Sequence, residues 1–515
     1  MTTSITYFAT RTGRNWIIIA PLPFRKAFSP REQEIVMAEV TQAELKQHFG
    51  LLQSTALNIT MVVGAGVFVT IPLMLAHLPG PLALLGWVAA GFLILLDGMI
   101  WSELGAALPG SGGSCRYLLE GYGKKSWGKV MAFLFVWQFM LSGPLEVASG
   151  LIAMSQFASA IHPDIAAWNE KFTYKVILFP QADLAWTISP ARLFAFAMGC
   201  FLLVLLYRRV EVLGKVTLLF SLGVIGIIVW IILDGSVHFQ WQHAFDLKPD
   251  ELPAAGALAT GLGQAMILAM YSYLGYYNIC YVGDEVKEPG KNIPRSIFLC
   301  SITVIILFIG AHLAMTGVVG WRNIPTKAPE VDNYSLSAEF MKLLHGEGAA
   351  ILMTIFLVWS CLGAAFAALL GYSRVPFGAA RQGYFFKAMA RVHYHHHIPH
   401  QSLLMVGGMT LFWSFFDLGS VITALITTRI LEQFLGQIVA LMLLRKNRPN
   451  LERPYRVPFY PFPCILAAMG WLYLYFSAGL IFILLGIFTL LAGLLVYFGW
   501  QSLEKRKVLK LGPDD

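Results

Sequence analysis

Apolar residues in this chain gather into runs of about twenty, separated by short polar stretches. Twelve such runs lie at about 51–77, 81–108, 128–160, 190–207, 214–236, 257–284, 296–319, 347–373, 402–417, 419–445, 462–480 and 483–501. A helix needs about 20 mostly apolar residues to cross a bilayer. The pattern therefore predicts an all-α polytopic membrane protein with twelve transmembrane helices. The stretch 462–501 is almost continuously apolar. Its division near Ser477–Gly479 rests on length, and one long tilted helix is the alternative. Of the two longer loops, 161–189 and 320–346, the second should hold a short helix. There Ser335–Leu344 opens on a capping serine and carries apolar residues at helical spacing.

Composition agrees with a lipid environment. The chain is 57% hydrophobic and 13% charged, with mean hydropathy +0.65, whereas soluble domains carry roughly 25% charged residues. The formal charge of +8 does not point to nucleic acid, because the basic residues sit in small clusters between apolar runs. With the N-terminus inside, 29 of the 37 Lys and Arg fall on inner segments, seven on outer ones, and Arg429 within a span. That asymmetry predicts a multi-pass protein of the cell membrane with both termini cytoplasmic. The expected organisation is a cytoplasmic tail over 1–45, a ten-helix core over 46–446, two peripheral spans over 447–501 and a second tail over 502–515. Residues 1–36 fit this scheme poorly. Trp16–Leu22 is apolar but too short to span, and the segment reads as a disordered, extended start ahead of Met37.

Several kinds of chemistry find no support. There is no Gly-x-x-x-x-Gly-Lys-Ser/Thr sequence for ATP, no repeated filter loop and no constellation of nucleophile and base, so neither an enzyme nor a cofactor is expected. The six cysteines lack metal spacing and read as small packing residues, without disulfides. Five histidines crowd HYHHHIPH at 393–400, but in a polar loop without Cys or helical spacing they predict no metal site.

Two spans carry residues that oppose a continuous helix. The first reads NITMVVGAGVFVTIP, with Gly64 and Gly66 at mid-depth and Pro72 beyond. Two glycines in three residues favour unwinding, and unwound backbone is tolerated at that depth only around a cavity or ligand. A break exposes N–H groups at the start of the outer half, suited to a carboxylate. It also leaves carbonyls at the end of the inner half, suited to an ammonium group. Taken alone, the glycines equally fit close helix packing. The sixth span adds a second interruption. Tyr271–Asn278 holds four tyrosines, Ser272, Gly275 and Asn278. Buried tyrosines need hydroxyl partners, so this centre reads as a wet site. Interruptions five spans apart fit two inverted repeats of five helices with the substrate between them.

At these residues the chain resembles the amino acid–polyamine–organocation transporter superfamily. The likeness rests on GAGVFVTIP at 64–72, SELGAALPGSGGSCRYL at 102–118, GDEVKEPGKNIPRSI at 283–297 and RVPFGAARQGYFFKAMARVH at 374–393. Ala65 stands where the family usually has Ser. The resemblance implies a 5+5 inverted repeat with helices 1 and 6 broken, plus two peripheral helices. It also implies a permease for amino acids or related amines working by alternating access. By position, backbone N–H groups of Gly64, Ala65, Gly66 and Val67 would hold a substrate carboxylate. Carbonyls near Met61 and around Tyr271, Ser272 and Tyr273 would take the amino group, and Tyr271 or Tyr273 would gate the site. The proton-coupling Lys of some members is missing from span five, so a co-transported proton and an exchanged substrate both stay open.

Charges at membrane depth are functional candidates because they are costly there. Glu146, beside Pro144 in span three, reads either as a counter-ion or proton site or as a structural hydrogen-bond partner. The first reading favours a polyamine or cationic amine carrier. Asp97 in span two is a weaker case of the same kind. Arg429 and Glu432, three residues apart in span ten, are expected to pair along one helix face. Asp284 and Glu285, with Lys287, Lys291 and Arg295, suggest a cytoplasmic gate network. Ser360 would line the same central region. A nutrient receptor that binds substrate without transporting it is the remaining alternative.

Overall fold

The computed structural model describes residues 7–12, 15–21, 49–64, 66–110, 112–179, 184–207, 213–327, 331, 334–392 and 398–510. The chain forms two units, Met1–His48 and Phe49–Asp515. In the first unit, strands β1 (Tyr7–Thr12) and β2 (Asn15–Pro21) pair antiparallel, with Thr12 opposite Asn15 and Tyr7 opposite Pro21. This corrects the expectation of disorder for that part of the tail. The run Ile17–Ile18–Ile19 is β-branched and favours extended backbone.

The second unit is helical. Its first spanning region is two helices, α1 (Leu51–Val62) and α2 (Gly66–His77), bent by 50° at the break between them. Next come α3 (Leu84–Ala107), α4 (Ser114–Gly121), α5 (Gly128–Ser159) and α6 (Pro163–Lys171). An antiparallel hairpin of β3 (Tyr174–Phe179) and β4 (Leu184–Ile188) precedes α7 (Pro190–Leu206), α8 (Leu213–Val237) and α9 (Trp241–Phe245). Then follow α10 (Ala255–Tyr273), α11 (Pro289–Val319), α12 (Leu336–His345), α13 (Glu347–Tyr372) and α14 (Arg374–Arg381). The chain continues through α15 (His400–Trp413), α16 (Leu418–Arg429), α17 (Gly436–Asn447), α18 (Phe462–Ser477) and α19 (Leu480–Lys510).

Each of the twelve apolar runs carries helix. Among the described residues, six helical stretches are long and apolar enough to cross a membrane, or seven with α1 and α2 counted as one bent span. Helix α10 ends at its break after 19 residues, and α15 has 14. Helix ends follow side-chain chemistry: Ser335 Oγ accepts from the Ala338 N–H at 3.3 Å, opening α12, and Asp417 accepts from Ser420 N–H at 3.2 Å, opening α16. Between α18 and α19, Gly479 adopts φ 92°, a conformation that separates two helices where the sequence is continuously apolar.

Small residues bring the helices together. A Cβ on Gly121 of α4 would lie 2.6 Å from the Ala440 Cβ of α17, and one on Gly235 of α8 would lie 2.6 Å from the Ala314 Cβ of α11. This is how membrane helices gain close van der Waals contact without a strong hydrophobic drive between them. Large apolar side chains such as Phe92, Trp359, Phe476 and Phe488 point outward and are exposed, as a lipid-facing surface requires.

Polar ties hold α3 to the last helices. Glu103 is fully buried and accepts from Arg445 Nε at 2.8 Å and from the Val457 N–H at 2.7 Å, with Arg453 Nε 3.4 Å away. Asp97, also buried, accepts from the Tyr276 hydroxyl and from Trp471 Nε1 at 3.2 Å. The structure thus gives Asp97 partners from the second break and from α18, a tether in place of a substrate counter-ion.

Candidate functional site

The two breaks meet. Helix α10 ends at Tyr273, and Gly275 takes φ 112°, followed by short turns at Asn278–Tyr281 and Gly283–Glu285. A Cβ on Gly275 would lie 3.2 Å from both C and O of Met61, the end of α1. Only glycine fits an approach this close at that φ. Asn58 Oδ1 on α1 accepts the Ile279 N–H at 2.8 Å. Phe49 joins the segment after the second break as a parallel bridge: its N–H donates to the Glu285 carbonyl at 3.0 Å and its carbonyl accepts from Lys287 N–H at 2.9 Å. Among the described residues, the backbone of Phe49, Glu285 and Lys287 ties this junction. Lys291 pairs with Glu288 at 2.8 Å, and the Asp284 side chain lies outside the described residues.

A cavity of about 120 Å³ opens where the breaks meet. At about 30 Å³ per water, that is room for about four waters. Met61, Gly64 and Gly66 line it from the first break, Tyr271 and Ser272 from α10, Glu146 and Gly150 from α5, and Ser360 from α13. The first-turn N–H groups of α2 have no intrahelical acceptor and carry about half a positive charge. The last-turn carbonyls of α1 and α10 carry the opposite partial charge. The cavity thus has a donor end and an acceptor end made of backbone. The Tyr271 hydroxyl is 2.9 Å from Ser149 Oγ, which donates to the Glu146 carbonyl at 2.6 Å. Ser272 Oγ is 3.2 Å from Thr70 Oγ1, joining α10 to α2.

Several candidates fall elsewhere. The Val67 side chain is fully buried in the apolar core, leaving only its N–H for a ligand. Tyr273 is fully buried, packed edge-on to Trp87 at 5.4 Å and stacked on Phe308 at 5.6 Å, with its hydroxyl donating to the Trp87 carbonyl at 3.4 Å. Of the two tyrosines, Tyr271 alone lines the cavity. Asn278 faces a second cavity of about 440 Å³, together with Leu57, Tyr277 and Arg429. Ala65 and residues 393–397 of the histidine-rich loop lie outside the described residues.

The charges pair differently from the expectation. Arg429 Nη2 is 2.7 Å from Glu146 Oε2, although neither atom is aligned for a hydrogen bond. The guanidinium also lies 5.6 Å from the centre of the Phe139 ring. Glu432 is not its partner. The helix widens into a π turn over Ile430–Leu435, so a three-residue step no longer returns to the same face, and Glu432 Oε2 is buried without a hydrogen-bond partner. Tyr372 is a lining residue that spacing missed, and for Arg429 spacing gave the wrong partner. The available signal was that Glu146 and Arg429 are opposite charges at similar membrane depth, where each needs a partner.

A model of the amino acid permease family matches residues 49–499. The chain is 24% identical over 489 residues to the branched-chain amino acid permease of Bacillus subtilis, covering 93% of this chain and 97% of that one. It is 26% identical over 470 residues to a serine/threonine exchanger of the same organism, covering 90% and 98%. It is also 25% identical over 431 residues to the human cystine/glutamate transporter, covering 81% and 78%.

Proposed function

Because the chain belongs to the amino acid permease family of the amino acid–polyamine–organocation superfamily, and is thus a multi-pass membrane transporter for amino acids, we propose that it carries a zwitterionic amino acid by alternating access between its two broken helices. The observation that carries this reading is the junction of the breaks. Gly275 lies against Met61, and the cavity beside them has a backbone donor end and a backbone acceptor end. A substrate carboxylate would take N–H groups of Gly64, Ala65, Gly66 and Val67, and its ammonium group the carbonyls at Met61 and at Tyr271–Tyr273. Tyr271, tied to Ser149, closes the site. The further architecture proposed is twelve spans: ten in two inverted repeats of five, with α18 and α19 peripheral and both termini in the cytoplasm of a cell-membrane protein. Names among the relatives include an exchanger, which supports exchange as one form of coupling; a co-transported proton is the other. The polyamine reading loses support because Glu146, its required anion, already faces Arg429.

Thermal unfolding of the purified protein with a panel of amino acids and polyamines tests the proposal. A ligand at about 100 times its Kd adds about 2.7 kcal/mol of stability. Amino acids should stabilise the wild-type protein, and Gly66→Val should abolish the response, since a Cβ there already meets Ser272 Oγ at 3.2 Å. Stabilisation by polyamines alone would overturn the reading. Binding without flux in liposomes would make the protein a receptor.

A further inference from the structure

The ion pair stands in the wall between the two cavities. Glu146 lines the smaller one and Arg429 the larger, while Met61 and Tyr372 line both. Arg429 is 3% exposed and Glu146 21%, so the arginine is seated in protein and the carboxylate looks into the cavity. Among the described residues, Glu146 is the one charged side chain lining the smaller cavity. Among the described residues, the larger cavity is lined by Arg116, Arg374 and Arg429 and by no acid, so Glu146 faces a cationic path as its counterweight.

We propose that the Glu146–Arg429 pair is a charge filter that restricts the carrier to amino acids with uncharged side chains. This rests on the binding site proposed above and names its substrate class. The backbone ends of the breaks recognise only the α-carboxylate and α-amino group common to all amino acids, so side-chain selection must come from the remaining walls. Those walls are small and apolar, at Gly150, Ala153, Ala364 and Ala368. An acidic side chain must draw Arg429 away from Glu146, and a basic one must draw Glu146 away from Arg429. Either exchange breaks a largely buried pair and leaves one of its two charges without its partner. A neutral side chain leaves the pair intact. Kinship does not decide the matter, since the names of the relatives include branched-chain, hydroxyl-bearing and acidic amino acids.

The test is competition binding on the full-length protein in detergent, using a radiolabelled neutral amino acid displaced by leucine, serine, glutamate or lysine. For the wild-type protein the neutral competitors should win by about tenfold or more, the equivalent of about 1.4 kcal/mol. Glu146→Gln should move the glutamate-to-leucine ratio about tenfold toward glutamate, and Arg429→Gln should move the lysine-to-leucine ratio likewise toward lysine. The double variant, which leaves no unpaired charge, controls for folding and should still bind leucine. Glutamate or lysine competing with the wild-type protein as well as leucine does would overturn the filter. So would single variants that weaken every competitor equally, the behaviour of a purely structural tie. Gly66→Val separates the two claims: if it binds all four normally, the backbone site is wrong, whatever the charge order.

Discussion

Gly275→Ala probes the contact between the two breaks. The residue has φ 112°, a region that costs a side-chain-bearing residue about 1–3 kcal/mol. Its new Cβ would lie 3.2 Å from C and O of Met61, backbone atoms that cannot rotate aside, and overpacking of this kind typically costs another 1–3 kcal/mol. Local relaxation relieves part of both, so the expected loss is about 2–4 kcal/mol, or about 30- to 700-fold in an equilibrium constant. If the segment holds its shape the loss appears as stability; if it yields, the break opens and substrate affinity falls instead. Unfolding followed by tryptophan fluorescence, together with amino acid binding, captures both. Gly408→Ala is the control: it lies on helix α15 with nothing within 4 Å of its Cβ, and alanine is the better helix former by about 1 kcal/mol. Gly275→Ala matching that control within about 0.5 kcal/mol, the usual scale of a neutral surface change, with unchanged affinity would refute the contact.

Two further outcomes follow from polar ties away from the cavity. Glu103→Ala should destabilise the protein by about 3 kcal/mol, the low end for breaking a buried pair, because it strands Arg445, itself 19% exposed, and the Val457 N–H; thermal unfolding equal to wild type would contradict this. In the loops around 246–251 and 321–323, hydrogen bonds from the Arg322 side chain and from the Lys248 N–H lower the Glu251 carboxyl from its ordinary value of 4.5 to about 2. A depressed acid contributes stability above its unfolded pKa and loses it as pH falls through the folded one. The contacts of Arg322 should therefore loosen between about pH 4.5 and 2, seen as faster hydrogen exchange over 246–251 and 321–323, and Glu251→Gln should remove that pH response. An identical pH profile in the variant would exclude Glu251 as its source.

Much of this organisation was legible in the sequence because single residues have single physical uses. Gly64 with Gly66, and Gly275 in a polar centre, marked the breaks; Ser335 marked the cap of α12; and the gap at Ser477–Gly479 marked the end of α18. Other features needed the third dimension. Tyr271 and Tyr273 are two residues apart on a helix, about 200° around its axis, and only the rotation of α10 decides which one meets the cavity. The π turn after Arg429 defeated a spacing rule that holds for regular helices. The hairpin of β3 and β4 was missed because Tyr174–Phe179 is exposed along its whole length, so the alternation that betrays a half-buried strand is absent.

The central claim is that backbone at the two breaks grips both ends of a zwitterion. Modified forms of the best-stabilising amino acid test it without altering the protein. Thermal unfolding with the parent amino acid, its methyl ester and its N-acetyl derivative should show stabilisation by the parent alone, because the ester lacks the charge that α2 faces and the acetylated form lacks the ammonium group for the carbonyls of α1 and α10. Equal stabilisation by the ester or the N-acetyl form would contradict the account.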